Sequence, residues 1–116
     1  MIAHVHPAHF DAWLANNPAG DGHEGPLVLD VREPWEIQTA SVRPDGFTLL
    51  TIPMGELSAR VEELDPDRPT ACLCHHGVRS LRVAQFLAHH GFSKVVNISG
   101  GIEAWSEQRD PQVPRY

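Results

Sequence analysis

Thr70-Ala71-Cys72-Leu73-Cys74-His75-His76-Gly77-Val78-Arg79-Ser80 is the stretch on which the fold turns. Its first four residues are short and apolar, as in a buried strand, and the run from Leu81 to His90 has helical periodicity. Cys74 therefore stands where a strand stops and a helix starts. Backbone N–H groups and the positive end of the helix dipole favour a thiolate at such a junction, and Arg79 adds a full positive charge. A thiolate so held is a nucleophile beside an anion-binding loop. Gly77, without a Cβ, can take φ > 0 and let the loop curl so that its amides converge. Ser80 is the expected N-cap, and Arg79 just before it is predicted to aim its fork at an anionic donor.

The same alternation extends in both directions. Upstream, Leu27-Val28-Leu29 reads as a buried strand running into Asp30-Val31-Arg32, and Pro34 suits the first turn of a helix from Trp35 to Thr39. Thr48 to Ile52 is a strand candidate, and Leu57, Val61 and Leu64 mark a helix closed near Asp65-Pro66. Downstream, Leu81, Ala84, Phe86 and Leu87 give the helix its apolar face and Gly91 caps it. Val95 to Ile98 is a last strand, and Ile102 to Glu107 a short helix after Gly100-Gly101. Near the start, Pro7 opens a helix continued by Phe10, Trp13 and Leu14, and residues 16–25 form a turn-rich break. Such a chain predicts an α/β fold, a parallel sheet covered by helices on both faces, with ligands at the carboxyl ends of the strands.

At 116 residues the sequence predicts one domain over 1–116, with 110–116 as an extended C-terminal tail broken by Pro111 and Pro114. The net charge is −6 and the nine Lys and Arg are scattered, which argues against nucleic acid and against an anionic membrane surface. The start shows no secretory pattern, and no apolar stretch approaches the length of a membrane span. Cys72 and Cys74 are read as facing opposite sides of extended chain, unbridged, in a reducing cytoplasmic setting. Cys72, inside the apolar strand, is expected to be a core residue.

Three motifs in order give the chain a resemblance to the rhodanese homology domain, the single-domain sulfurtransferase family. They are Leu29-Asp30-Val31-Arg32-Glu33-Pro34-Trp35-Glu36, Cys74-His75-His76-Gly77-Val78-Arg79-Ser80 and Asn97-Ile98-Ser99-Gly100-Gly101-Ile102-Glu103-Ala104-Trp105, within residues 27–105. The resemblance implies a five-stranded, mainly parallel sheet. It also implies a cysteine that takes a sulfane sulfur from a donor such as thiosulfate, becomes a persulfide, and passes the sulfur to cyanide, a thiol or a sulfur-relay protein. Cys74 would be catalytic, with His75, His76, Gly77, Val78, Arg79 and Ser80 binding substrate. One departure is residues 40–47, which stand where such domains usually carry a Gly-His-Ile-rich stretch.

Asp30, Arg32 and Glu33 are read as an ion-pair network bracing the active loop, and Trp35 and Trp105 as packing residues. No cofactor is implied. A metal is not expected either: adjacent residues such as His75 and His76 rarely converge on one ion, and His4, His6 and His9 read as surface residues and a helix cap. Alternatives are a non-catalytic module on the same fold, a thiol-dependent arsenate reductase, and a cysteine phosphatase. The phosphatase cradle needs five residues between cysteine and arginine, whereas Cys74 and Arg79 enclose four.

Overall fold

The computed structural model describes residues 2–20 and 24–116; positions 21–23 of the expected 16–25 break lie outside the described residues. Strands β1 (Ala3–Val5), β2 (Leu27–Asp30), β3 (Thr48–Thr51), β4 (Thr70–Leu73) and β5 (Val95–Ile98) form one sheet ordered β1-β5-β4-β2-β3. Every pairing is parallel, as in Leu29↔Cys72 and Cys72↔Asn97. Parallel neighbours require crossovers, and the helices α1 (Phe10–Ala15), α2 (Pro34–Thr39), α3 (Leu57–Arg60), α4 (Val78–His89) and α5 (Gly101–Gln108) lie within or beside them.

Alternation along each strand divides the core into two layers. Leu27 and Leu29 join Cys72, Val83 and Leu87 on the side of α3 and α4, whereas Val28, Ala71 and Leu73 join Phe10, Ile102 and Trp105 on the side of α1 and α5. Strands buried on both faces are mostly apolar, which is why Leu27–Leu29 and Ala71–Leu73 read as continuous runs, while buried Asp30 at the end of β2 is matched by Arg32.

Several expectations are corrected. The sequence reading contains no strand at Ala3–Val5. That strand is three residues long, buries only Val5, and exists through its pairing with β5, so it carries no local signal. Cys72 and Cys74 do not face opposite sides: positions two apart in extended chain share a face, and both thiols sit, unbridged, in the layer beneath α4. Ser80 is not the N-cap. The helix begins at Val78 behind Gly77, and Ser80 lies fully buried within its first turn. The expected 57–64 helix is a short α3 flanked by 3-10 turns at Met54–Glu56 and Val61–Glu63. Trp105 is 1% exposed as a packing residue should be, but Trp35 is 62% exposed. The tail is more than a surface arm, since Val113 is buried and its carbonyl accepts from Ser106 Oγ at 2.7 Å.

Among the described glycines, Gly101 leaves the least room for a side chain. Its φ of +62° is left-handed, and a Cβ there would collide with the backbone carbonyls of Cys74 and His75. Gly91, at φ +92°, has no described atom within 4 Å of the corresponding position. Gly101→Ala should therefore cost about 3 kcal/mol or more in urea denaturation, against about 1 kcal/mol for Gly91→Ala, where only backbone strain applies. Equal losses would show that the contact with the loop carries no weight.

Candidate active site

Cys74 leaves the end of β4 and enters a loop whose backbone is fixed from outside. Its Sγ accepts from the Gly77 N–H at 3.0 Å, and Gly77 reaches that position at φ +99°. Ile102 N–H donates to the Cys74 carbonyl at 2.9 Å and Glu103 N–H to the His75 carbonyl at 3.2 Å. The Gly77 carbonyl accepts from Asn97 Nδ2 at 3.1 Å, while Asn97 Oδ1 accepts from Ser80 Oγ at 2.6 Å. The carbonyls of Cys74, His75 and Gly77 are thus committed to α5, α4 or Asn97, and the sulfur faces an amide at the start of a twelve-residue helix.

Charged groups brace the loop from the β2 side. Asp30 and Arg32 are both buried and pair at 2.7 Å, and Arg32 also donates to the Ala40 carbonyl at 2.8 Å and to Tyr116 Oη at 3.0 Å. Glu33 is exposed and forms no ion pair among the described residues; it caps α2, its N–H donating to Glu36 Oε2 at 2.9 Å. Arg79 is engaged: its two terminal nitrogens donate to the two Glu36 oxygens at 2.7 Å each. Tyr116 Oη donates to Glu36 Oε1 at 2.9 Å, so the Glu36 carboxylate accepts four hydrogen bonds. Arg79 above all, outweighing burial, draws the Glu36 carboxyl down to about 2. The fork of Arg79 is therefore oriented by Glu36, with two of its five N–H groups committed and three left for a ligand.

Burial, reinforced by His76, holds the His75 imidazole below its ordinary pKa. The ring lies between His76 and Tyr116 with centroids 3.9 Å from each, and its Nε2 is buried without a hydrogen-bond partner. His75, His76 and Glu103 each bring one ligand atom within 4.8 Å of the others. The two imidazole planes are only 16° apart, so their in-plane lone pairs run side by side rather than converge, and Glu103 is paired with Arg115. Val78 is exposed at the loop's outer edge.

The loop and its braces can be set beside known proteins. Residues 11–108 match the Rhodanese-like domain. The chain belongs to that family. A rhodanese-related protein from Thermoplasma volcanium superposes with a TM-score of 0.75 at 30% identity, covering 98% of this chain and 99% of that one. A sulfurtransferase of Allochromatium vinosum is 34% identical over 78% of this chain and 80% of its own length. A rhodanese-like/PpiC domain-containing chloroplast protein of Arabidopsis thaliana is 41% identical over 77% of this chain, but the match takes up only 30% of that protein. Rhodanese-family membership fits the all-parallel sheet and the cysteine loop, and no described helix is long and apolar enough to cross a membrane.

Four residues at the site went unassigned in the sequence reading: Glu36, Asn97, Gly101 and Tyr116. Glu36 had a local signal, being three residues after Glu33 at a helix start, but its partner Arg79 is 43 positions away. Gly101 stood in a Gly-Gly pair ahead of a helix. Nothing in the sequence pointed Tyr116 at the loop.

Glu36 gives a pH-dependent test. Its pKa falls from 4.5 to about 2 in the folded chain, so it contributes stability that is complete above pH 4.5 and lost as the pH falls toward 2. Glu36→Gln should cost about 1–3 kcal/mol in urea denaturation at pH 7. The gap to wild type should narrow at pH 3, and an unchanged gap would remove the ion pair from the account.

Proposed function

We propose that the chain is a sulfurtransferase working through a persulfide on Cys74, with thiosulfate as a competent donor. The observation that carries the reading is the Gly77 N–H on Cys74 Sγ at the mouth of α4, because a persulfide anion needs the same donors as the thiolate that precedes it. The Cys74 thiolate attacks the outer sulfur of thiosulfate, the sulfur–sulfur bond breaks, and sulfite leaves with its electron pair. Cyanide or a thiol then attacks the outer persulfide sulfur, accepts it, and returns the Cys74 thiolate. No redox partner is needed for transfer to cyanide, and no cofactor enters.

Cys74 is 1% exposed, which suits a narrow donor whose terminal sulfur leads. Arg79, oriented by Glu36, would hold the trailing sulfonate oxygens through its three uncommitted N–H groups. Asp30 and Arg32 neutralise one another and hold the β2 end of the site. Family relatives named as sulfurtransferases support the reaction class. A cytoplasmic setting, where thiols stay reduced, suits two free cysteines, and the acceptor in the cell would be a small thiol or a sulfur-relay protein.

Incubation with thiosulfate should add one sulfur atom to Cys74 in the intact-mass spectrum, and cyanide should remove it as thiocyanate. Cys74→Ala should abolish both steps, while Cys72→Ala should keep turnover within about threefold, since Cys72 lies in the core. Loss of loading in Cys72→Ala alone would reassign the nucleophile. Cys74-dependent hydrolysis of an aryl phosphate at a comparable rate would replace sulfur transfer with the phosphatase reading.

Arg79 has its own kinetic signature. Arg79→Ala should raise KM for thiosulfate about tenfold or more, and Arg79→Lys should recover only part because a single ammonium cannot satisfy both Glu36 and the donor. An unchanged kcat/KM in Arg79→Ala would remove the anion-binding role.

A further inference from the structure

The chain from Arg109 onward folds back to the site. Asp110 pairs with Arg43 at 2.7 Å, Val113 is buried in the layer beneath α5, and Arg115 pairs with Glu103 and Glu107. These anchors deliver the Tyr116 side chain to a gap between two opposite charges. Its hydroxyl accepts from Arg32 and donates to Glu36, while its ring lies flat on His75 with planes 9° apart and meets Trp35 edge-on. One side chain thereby touches the buried pair behind the loop, the carboxylate that orients Arg79, and the imidazole next to Cys74.

We propose that Tyr116 is a positioning residue for anion handling at Cys74: its hydroxyl, set between Arg32 and Glu36, keeps Glu36 paired to Arg79. The physical reason is competition. Arg32 and Arg79 are both cations near one carboxylate, and Arg32 already reaches the Glu36 carbonyl at 3.4 Å. With the hydroxyl in place, Arg32 is satisfied by Asp30, Ala40 and Tyr116, and the Glu36 oxygens are left to Arg79. Without it, Arg32 loses an acceptor and Glu36 a donor, each facing the other, and their mutual attraction draws Glu36 away from Arg79. Burial raises the Tyr116 phenol above its ordinary pKa, which keeps the proton available for donation. The role rests on the anion binding by Arg79 proposed above, where the anion is the sulfur donor of Cys74.

The test separates Tyr116 from the sulfur chemistry. Cys74 alkylation rates with iodoacetate and iodoacetamide, mapped to the residue by mass spectrometry, give a ratio in which thiolate reactivity cancels and the local handling of an anion remains. Tyr116→Phe keeps the ring on His75 and removes only the hydroxyl. It should lower the iodoacetate-to-iodoacetamide ratio about fivefold and raise KM for thiosulfate by a similar factor, with kcat nearly unchanged. In a Glu36→Gln background the same substitution should change the ratio less than twofold, because the relay is already broken. A ratio in Tyr116→Phe within twofold of wild type, or an equally large further fall in Glu36→Gln, overturns the role of Tyr116. A wild-type chain that takes no sulfur from thiosulfate, while the ratio still falls in Tyr116→Phe, overturns sulfur transfer and leaves the positioning role standing.

Discussion

The carbonyl oxygens of Cys74 and His75 accept hydrogen bonds from the amides of Ile102 and Glu103, and the shape of the loop depends on that arrangement. Tying these carbonyls outward to α5 fixes the two peptide units after Cys74, and the Gly77 amide that comes next meets Cys74 Sγ at 3.0 Å. The approach is close enough that Gly101 must lack a side chain, and Gly100 before it, also at positive φ, would meet Ala104 with a Cβ. The third sequence motif is thus a backbone fixture for the second. Asn97 completes the fixture by holding the Gly77 carbonyl and Ser80 together.

A second constraint is the disposal of charge near an anionic sulfur. Asp30 and Glu36 would both disfavour a thiolate if left unpaired, and each is matched by an arginine at 2.7 Å. The two pairs differ in exposure: the Asp30–Arg32 pair is sealed, while Arg79 keeps 33% of its side chain open. A sealed pair contributes rigidity and little field at the loop. Arg79 is fixed by Glu36 through both terminal nitrogens, so in its proposed anion-binding role the side chain would be oriented before the ligand arrives.

The sequence displayed what local rules can carry. Apolar runs located β2 through β5, Pro34 and Gly91 marked helix ends, and Cys74, Gly77 and Arg79 fell together because they are neighbours in the chain. What escaped depends on contacts between distant positions. β1 exists because β5 offers an edge, Glu36 finds Arg79 across 43 residues, and Tyr116 finds Glu36 across 80. Ser80 shows how a sound local rule loses: serine favours helix caps, but Gly77 starts the turn with the backbone alone, and Ser80 is used to bind Asn97 instead. Trp35 reads as a packing residue, yet stands exposed in the first turn of α2.

Cys72 and Cys74 are two residues apart, share one layer and are almost equally buried, so burial does not distinguish the proposed nucleophile from its neighbour. The difference lies in the supply of amides. Cys72 is paired on both sides in the ladder, with Leu29 and with Asn97, and the strand's N–H groups are consumed there. Burial, with Cys74 as a lesser cause, pushes its thiol up. Cys74 lies just beyond the end of β4, where the ladder stops and the first amide of the turn into α4 is free to meet sulfur. A thiolate in a low-dielectric interior is tolerated only where N–H donors replace the lost water, and of the two sulfurs it is Cys74 Sγ that accepts from a backbone amide, the basis for proposing it as the nucleophile. In the proposed reaction the choice of nucleophile follows from the residue at which β-pairing ends.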